Sequence, residues 1–238
     1  MFDDINIHET FHENTKLFAN IHWKEKAYNL NINFKLYAYN NAIKIKPTKI
    51  NSSANIIEAI YNRRSTREFN RHKIIDFNEL SNLLFYSLFN TNSYNKRAYP
   101  SAGKRYPIEL YLVVFKNDFI DNGIYHINQE DRKLYKIRNG KFSEVVLQNC
   151  LNQEFIKNCS FVILFTGFFE RTIEKYGERG YRYILIDAGH ISENLYLVSS
   201  ALNIGCVSIG GFLDDKMDEL LAITNKETTL YAMAFGKK

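Results

Sequence analysis

Two adjacent residues whose side chains can carry protons, Lys175 and Tyr176, are the first candidates for chemistry in this chain. They follow an apolar run in the segment TIEKYGERGYRYILIDAGH, residues 172–190, in which the chain is predicted to turn at Gly177 and continue into a long helix. A lysine in an unstructured peptide has a pKa of about 10.4 and a tyrosine of about 10, so neither is a base at neutral pH without help. Burial would lower the pKa of the lysine and raise that of the tyrosine. The pair is therefore an acid/base couple if it faces a dry pocket, and otherwise an accident of a Tyr- and Lys-rich chain.

The segment RRSTREF is a candidate for binding an anion. Arg63, Arg64 and Arg67 bracket Ser65 just after an amphipathic stretch. Guanidinium groups match phosphate oxygens in pairs, and a hydroxyl adds a further donor, so the set suits a phosphate monoester. Arginines at the end of a helix also occur simply as solvated side chains that complement the helix dipole. Both interpretations stay open on this segment alone.

Two stretches of small residues are candidates for loops whose backbone lies close to a ligand. Ser101 and Ala102 lie in the loop YPSAGKRYP, which leads into an apolar run, and Gly210 and Gly211 lie in SIGGF. Small residues let the backbone approach a flat ligand, and a glycine pair can present bare N–H groups, but both also occur in ordinary turns. Neither stretch satisfies a Walker or G-x-G-x-x-G pattern, which argues against a P-loop or Rossmann cofactor site.

The segment HETFH, residues 8–12, matches the H-E-x-x-H zinc pattern. Zinc needs a third ligand and a walled cavity, whereas this copy lies near the N-terminus with no apolar helix flanking it. We therefore predict no metal site here.

Composition limits the class of protein. The chain has 238 residues, of which 45% are hydrophobic, enough for one substantial core. It contains no run of 18 apolar residues and its first residues lack an apolar signal region, so neither a membrane span nor secretion is expected. Three cysteines without C-x-x-C spacing predict reduced thiols in the cytoplasm. A net charge of +5 spread along the chain argues against nucleic acid and leaves room for an anionic ligand.

Helices and strands alternate irregularly. Residues 1–52 are predicted to form an arm packed on a body of residues 53–238. Capping boxes at Asn55–Glu58 and Asp76–Glu79 predict two helix starts, and a short capped helix is expected at 214–223. The longest helix is expected at about 180–203, with one apolar stripe formed by Ile184, Ala188, Ile191, Leu195, Val198 and Leu202. Apolar runs predict strands at 108–115, 123–127, 133–137, 160–169, 228–235 and from 206 to the glycine turn. This order predicts an α+β fold with a central sheet flanked by helices.

Taken in order, these segments resemble the FMN-dependent nitroreductase fold. The resemblance lies in RRSTREF, PSAG, DAGHISENLYLVSSALNIG and SIGGF. Three further segments are similar to the SagB/McbC-type branch, the azoline dehydrogenases of thiazole- and oxazole-modified peptide biosynthesis: FHENTKLF, FKLYAYNNAIKIK and KYGERGYRYILIDAGH.

The resemblance implies a mostly antiparallel sheet, an intertwined homodimer and two FMN sites, each built from both subunits. In one subunit Arg63, Arg64, Ser65 and Arg67 would hold the phosphate and ribityl end, and Gly210 and Gly211 would offer N–H groups to the ring. Lys237 would add a phosphate contact, and Ser101 and Ala102 would come from the partner subunit. Glu193 stands where the branch usually has Gln.

In this branch the adjacent Lys and Tyr are the catalytic element, here Lys175 and Tyr176. The implied activity is FMN-dependent oxidation of thiazoline or oxazoline rings in a ribosomally made precursor peptide, docked with a cyclodehydratase. One alternative is a generic NAD(P)H-dependent nitro- or quinone-reductase on the same fold. A second is a non-catalytic scaffold of the modification complex.

Overall fold

A computed structural model describes residues 6–17, 34–35, 37, 42–48, 55–89, 97–224 and 226–238. Within these residues the helices are α1 Ile7–Asn14, α2 Ile56–Asn62, α3 Phe77–Leu88, α4 Ser143–Asn149, α5 Glu170–Tyr176, α6 Gly180–Ala201 and α7 Asp214–Leu221. The strands are β1 Ile43–Lys44, β2 Ile108–Val114, β3 Gly123–Asn128, β4 Lys133–Asn139, β5 Phe161–Phe168, β6 Ile204–Ile209 and β7 Glu227–Lys237. The predicted α+β fold is confirmed.

The strands form one sheet in the order β1-β4-β3-β2-β5-β7-β6, and every neighbouring pair is antiparallel. Strand β2 is buried along its whole length because helices cover both faces of the sheet. Alternate residues of a strand point to opposite faces. Accordingly Leu110 and Leu112 pack with α3 and α6, whereas Tyr111 and Val113 pack with α4 and α7. The molecule thus has three layers, with α6 against one face of the sheet.

The two predicted capping boxes are confirmed. The Asn55 side chain accepts from the N–H of Glu58 at 3.0 Å, and Asp76 accepts from that of Glu79 at 2.8 Å. In each case the glutamate accepts from the backbone N–H of the cap residue, so orphan donors at the helix start are satisfied reciprocally. Helix α7 differs from the prediction, because it starts after Leu213, whose side chain cannot cap it.

The apolar stripe predicted for the long helix is also confirmed. Ile184, Ile191 and Leu195 are fully buried in α6, and Ala188 lies between them. Because the stripe faces the sheet and α3, the polar and aromatic residues of α6 are left to contact the loops at both ends of the helix.

The described parts of the N-terminal segment contact the body. Arg179 donates to the backbone oxygen of Thr15 at 2.7 Å, and Lys35 forms an ion pair with the buried Glu227. Residues 49–54, which contain the predicted division between arm and body at residues 52 and 53, lie outside the described residues, so that division stays a prediction. No helix in the described ranges is both long and apolar enough to cross a bilayer.

Candidate active site

Lys175 and Tyr176 form the C-terminal end of α5, and both are half-buried. Gly177, with φ +59°, ends the helix and turns the chain toward α6. The Lys175 ammonium lies 5.3 Å from the centre of the Tyr176 ring, which is a cation–π distance. The edge of the Tyr183 ring packs on Tyr176 with 5.0 Å between centroids. The predicted turn at the glycine is confirmed, and the short helix before it is a feature that the sequence patterns had not indicated.

The small-residue loop lies directly against this pair. A Cβ atom added to Gly103 would stand 2.5 Å from the Tyr176 hydroxyl oxygen and 2.8 Å from Lys175 Nζ. Two polar side-chain ends from α5 therefore converge on one backbone atom of the loop. The structure brings together two segments that lie about 70 residues apart in the chain.

Ser101 and Ala102 are half-buried and belong to the same loop, but the Ser101 side chain already has partners. Its hydroxyl donates to Asp187 Oδ2 at 2.5 Å and accepts from the N–H of Tyr106 at 2.9 Å. Burial raises the pKa of Asp187, while the hydrogen bond from Ser101 acts in the opposite direction. Ser101 thus ties the loop to α6.

The predicted anion-binding residues follow the end of α2. The Arg63 guanidinium lies 5.3 Å from the centre of the Tyr196 ring, and Ser65 pairs with Cys206 of β6 in a parallel bridge. Arg64 donates to the backbone oxygen of Tyr61 at 2.9 Å. Arg64, Ser65 and Arg67 are exposed. The segment therefore lies along the β6 edge of the sheet with polar side chains facing outward.

Tyr196 is a residue of this region that the sequence patterns did not single out. Its hydroxyl lies 3.1 Å from Ser65 Oγ and accepts from the N–H of Ser208 at 2.8 Å. One phenol of α6 therefore links the arginine segment to the strand that leads to the glycine pair. An aromatic residue inside an apolar helix carries no signal that would have revealed this.

Gly210 and Gly211 follow β6 and are exposed. A Cβ added at Gly210 would meet no heavy atom within 4 Å, and one at Gly211 would meet only Leu151 at 3.7 Å. Gly210 comes four residues after Cys206, which corresponds to about 13 Å along a strand. The glycine pair thus has open space beside it at the end of the strand that Ser65 adjoins.

Two other predicted residues have different surroundings. The amino group of Lys237 forms an ion pair with Glu79 of α3, so part of its charge is already compensated. Glu193 is exposed on α6.

The H-E-x-x-H residues lie on α1, where His8 and His12 are exposed. No group of three metal-ligating side chains occurs within the described residues.

The two groups of candidate residues lie on opposite sides of α6. Asp187 holds the Ser101 loop, and Tyr196 holds Ser65, nine residues further along the helix. Nine residues are two and a half turns, about 13.5 Å along the axis, so the two contacts point in opposite directions. The Lys175–Tyr176 pair shares the Asp187 side, because it lies against Gly103.

Comparison with known proteins identifies the class. Residues 60–237 match the Nitroreductase family. The chain is 33% identical over 181 residues to protein MJ1384 of Methanocaldococcus jannaschii, named as a nitroreductase, covering 76% of this chain and 90% of that one. The chain therefore belongs to the nitroreductase family, which supports the function of a flavin-type oxidoreductase.

Two further matches are a trifolitoxin-processing protein and a chain of a microcin synthetase complex. The trifolitoxin-processing protein TfxB of Rhizobium leguminosarum bv. trifolii is 33% identical over 123 residues, covering 50% of this chain and 33% of TfxB. The Escherichia coli microcin synthetase McbBCD complex, with truncated pro-MccB17 bound, contains a chain of the same fold at 19% identity. It superposes with a TM-score of 0.66, covering 96% of this chain and 86% of that one.

A solved nitroreductase-family structure from Anabaena variabilis is 28% identical and superposes with a TM-score of 0.79. The superposition covers 96% of this chain but 46% of that one. The present chain thus spans about half of that protein and about a third of TfxB.

Proposed function

We propose that this protein is an FMN-dependent azoline dehydrogenase, which oxidises thiazoline or oxazoline rings of a ribosomally made peptide to the aromatic azoles. The observation that carries the proposal is the convergence of Lys175 Nζ and the Tyr176 hydroxyl on the backbone of the Gly103 loop. The partial matches to a trifolitoxin-processing protein and to a chain of a microcin synthetase support the choice of a peptide substrate.

The residues present suit FMN. Arg63, Arg64, Ser65 and Arg67 have the donors that a phosphate monoester requires, and three of them are exposed along the β6 edge. Gly210 has open space where a side chain would stand. Two residues before Gly210, the buried Ser208 Oγ has no hydrogen-bond partner among the described residues. Buried polar atoms are usually paired, so this hydroxyl is available to a bound group.

The Lys175–Tyr176 pair supplies the acid/base part of the reaction. Conversion of an azoline to an azole removes two hydrogens from adjacent ring atoms, one as a proton and one as a hydride. FMN, when bound, supplies the hydride acceptor. The pair takes the proton, and such help typically changes a rate by 10²–10⁴-fold. The adjacent amine and phenol act jointly, and single variants will show which of them carries the proton.

A complete site requires two copies of the chain. In one subunit the Gly103 loop and the Arg63–Ser65 segment contact opposite faces of α6, which supports a site shared across a homodimer. Exposed apolar side chains on α2 and α6 provide a surface for that contact. They are Ile56, Ile57, Ile60, Tyr61, Leu185 and Ile186.

We also propose a cyclodehydratase as partner, because an enzyme that forms azolines must supply the substrate. A cytoplasmic location is proposed from the three cysteines, which are all buried and unpaired. Free thiols persist in reducing compartments.

The test is a double variant, Lys175→Ala with Tyr176→Phe. We expect it to keep its flavin absorption and to lose azole formation, measured as the two-dalton mass loss per ring, by about 10²-fold or more. The matched control is Tyr135→Phe with Lys136→Ala, an adjacent pair on β4 that contacts Asp131 and Asp121 instead of the loop. A double variant that still forms azoles at the parental rate refutes the catalytic assignment.

A second candidate is a generic NAD(P)H-dependent nitro- or quinone-reductase, which the match to MJ1384 over 90% of its length favours. Rapid bleaching of the flavin by NADPH, with turnover of nitroaromatics and none of azoline peptides, would select it. Purification of the intact protein without FMN, and failure to bind added FMN, would instead support a scaffold role.

A further inference from the structure

Helix α5, which carries Lys175 and Tyr176, depends on contacts from outside itself. It has seven residues, and its N-terminal cap position is Phe169, which makes no side-chain cap. Isolated helices of this length are unstable in water. The position of the catalytic pair must therefore be imposed by neighbouring elements.

Arg105, in the loop that contains Ser101 and Gly103, reaches across to α5. Its side chain is almost wholly buried, and its Nε donates to the backbone oxygen of Arg171. Its Nη2 donates to Glu174 Oε2 at 2.9 Å. In an α-helix the carbonyl of residue 171 accepts from the N–H of residue 175. Arg105 therefore hydrogen-bonds to the helical turn that ends in Lys175.

Arg171 makes the reciprocal contact from α5 back to the loop and the sheet. Its Nη1 donates to the backbone oxygen of Tyr106 at 3.0 Å, and its Nη2 donates to Glu109 Oε1 of β2 at 2.5 Å. Glu109 is itself held by His126 of β3, with 2.8 Å between Oε2 and Nε2.

The charge of Glu109 is maintained despite its burial. Burial alone would raise the pKa of this carboxyl group, but the hydrogen bond from His126 and the charge of Arg171 outweigh it and lower the pKa to about 2. The carboxylate thus stays ionised and keeps its ion pair with Arg171.

We propose that Arg105 is a positioning residue for the reaction: together with Arg171 it clamps α5 to the Gly103 loop and so holds the ends of Lys175 and Tyr176 against that loop. Its link to catalysis rests on the proposed function, whereas the clamp itself can be tested without any substrate.

The first test measures hydrogen exchange by mass spectrometry in the purified intact protein. Arg105→Met is expected to raise the exchange rate of residues 170–177 by about 10-fold, with Arg105→Lys intermediate because lysine lacks the forked guanidinium. Arg138→Met is the matched control, since Arg138 also donates to a helix carbonyl, that of Leu220, but in a helix without site residues. Unchanged protection of 170–177 in Arg105→Met overturns the proposal.

The second test is a mutant cycle on azole formation. Arg105→Met is expected to lower kcat by about 10- to 100-fold, with KM for the peptide and Kd for FMN changed less than about twofold. In the Lys175→Ala, Tyr176→Phe background the same substitution should cause no further loss, because Arg105 acts through the pair. Multiplicative losses would overturn the positioning role.

The two tests separate the clamp from the proposed function. If the parental protein forms no azoles while Arg105→Met loosens residues 170–177, the dehydrogenase assignment fails and the clamp stands. If the parental protein is active and Arg105→Met changes neither exchange nor kcat, the clamp fails and the dehydrogenase assignment stands.

Discussion

At Gly103 the backbone has a φ of +57°, and a side chain there would collide with the ends of both Lys175 and Tyr176. Two requirements thus coincide at one residue, since left-handed backbone favours glycine and the adjoining space is filled by the ends of Lys175 and Tyr176. The chemistry proposed for the site depends on this contact, because it sets how closely the amine and phenol can approach a ligand beside the loop.

Gly103→Ala is therefore expected to lower both stability and activity. We expect a loss of about 1–2 kcal/mol in the free energy of unfolding from backbone strain and crowding, and at least a 10-fold loss of kcat as the pair is displaced. Gly140→Ala is the control, because Gly140 also has a positive φ but its Cβ would meet Phe142 at an ordinary 3.5 Å. Thermal unfolding and azole formation measured on both variants check the prediction, and a Gly103→Ala protein with parental kcat would contradict it.

At the scale of elements, α6 joins the parts of the site. Asp187 holds the Ser101 loop, and Tyr196 joins Ser65 to the backbone of β6. The apolar stripe of α6 packs against the sheet, and the helix that carries these polar contacts is therefore held in place. Segments that are remote in sequence are thereby held at defined positions along one helix.

Tyr196→Phe is expected to weaken FMN binding. The loss of the phenol hydroxyl leaves the N–H of Ser208 without its acceptor and frees Ser65, a cost of about 1–2 kcal/mol, or roughly 10-fold in Kd. Fluorescence titration of the apoprotein with FMN measures this. Tyr125→Phe is the control, because that hydroxyl also bonds to backbone, at the Asp121 oxygen 2.8 Å away, but on β3. Equal FMN affinity in the Tyr196→Phe and parental proteins would rule out the role.

For the whole molecule, the number of chains in the assembly decides whether the proposed flavin site is complete. Several apolar residues of α2 and α6 are exposed, and among them Ile57 is 70% exposed. Large exposed apolar patches on soluble proteins mark interaction surfaces. In the proposed homodimer this surface is buried, and each flavin site draws on both chains.

Ile57→Asp is accordingly expected to dissociate the dimer by placing a charge in an apolar contact. Sedimentation velocity should show a shift toward monomer together with loss of bound FMN, because the shared site would come apart. Val145→Asp is the control, since Val145 is also exposed but lies on α4, in the layer on the opposite face of the sheet. If the parental protein is a monomer that binds FMN, the shared site is refuted.

The sequence by itself determined the fold class, the starts of α2 and α3, the buried stripe of α6 and the turn at Gly177. Each of these follows from local physics: side-chain caps, the 3.6-residue period and the freedom of glycine at positive φ. It also contained the segments by which the family was identified. The start of α7 shows the limit of such inference, because a capped helix was predicted there, whereas the cap position is Leu213 and Asp214 and Asp215 lie inside the helix.

Only the tertiary structure decided which residues meet. The contact between Gly103 and the Lys175–Tyr176 pair, the bridge from Tyr196 to Ser65 and the Arg105 clamp all join segments far apart in the chain. No local period or cap encodes such contacts, because they arise from the order of strands in the sheet and the direction in which each helix lies across it. For the same reason no sequence pattern indicated that the Ser101 hydroxyl bonds to Asp187 and Tyr106, or that the amino group of Lys237 forms an ion pair with Glu79.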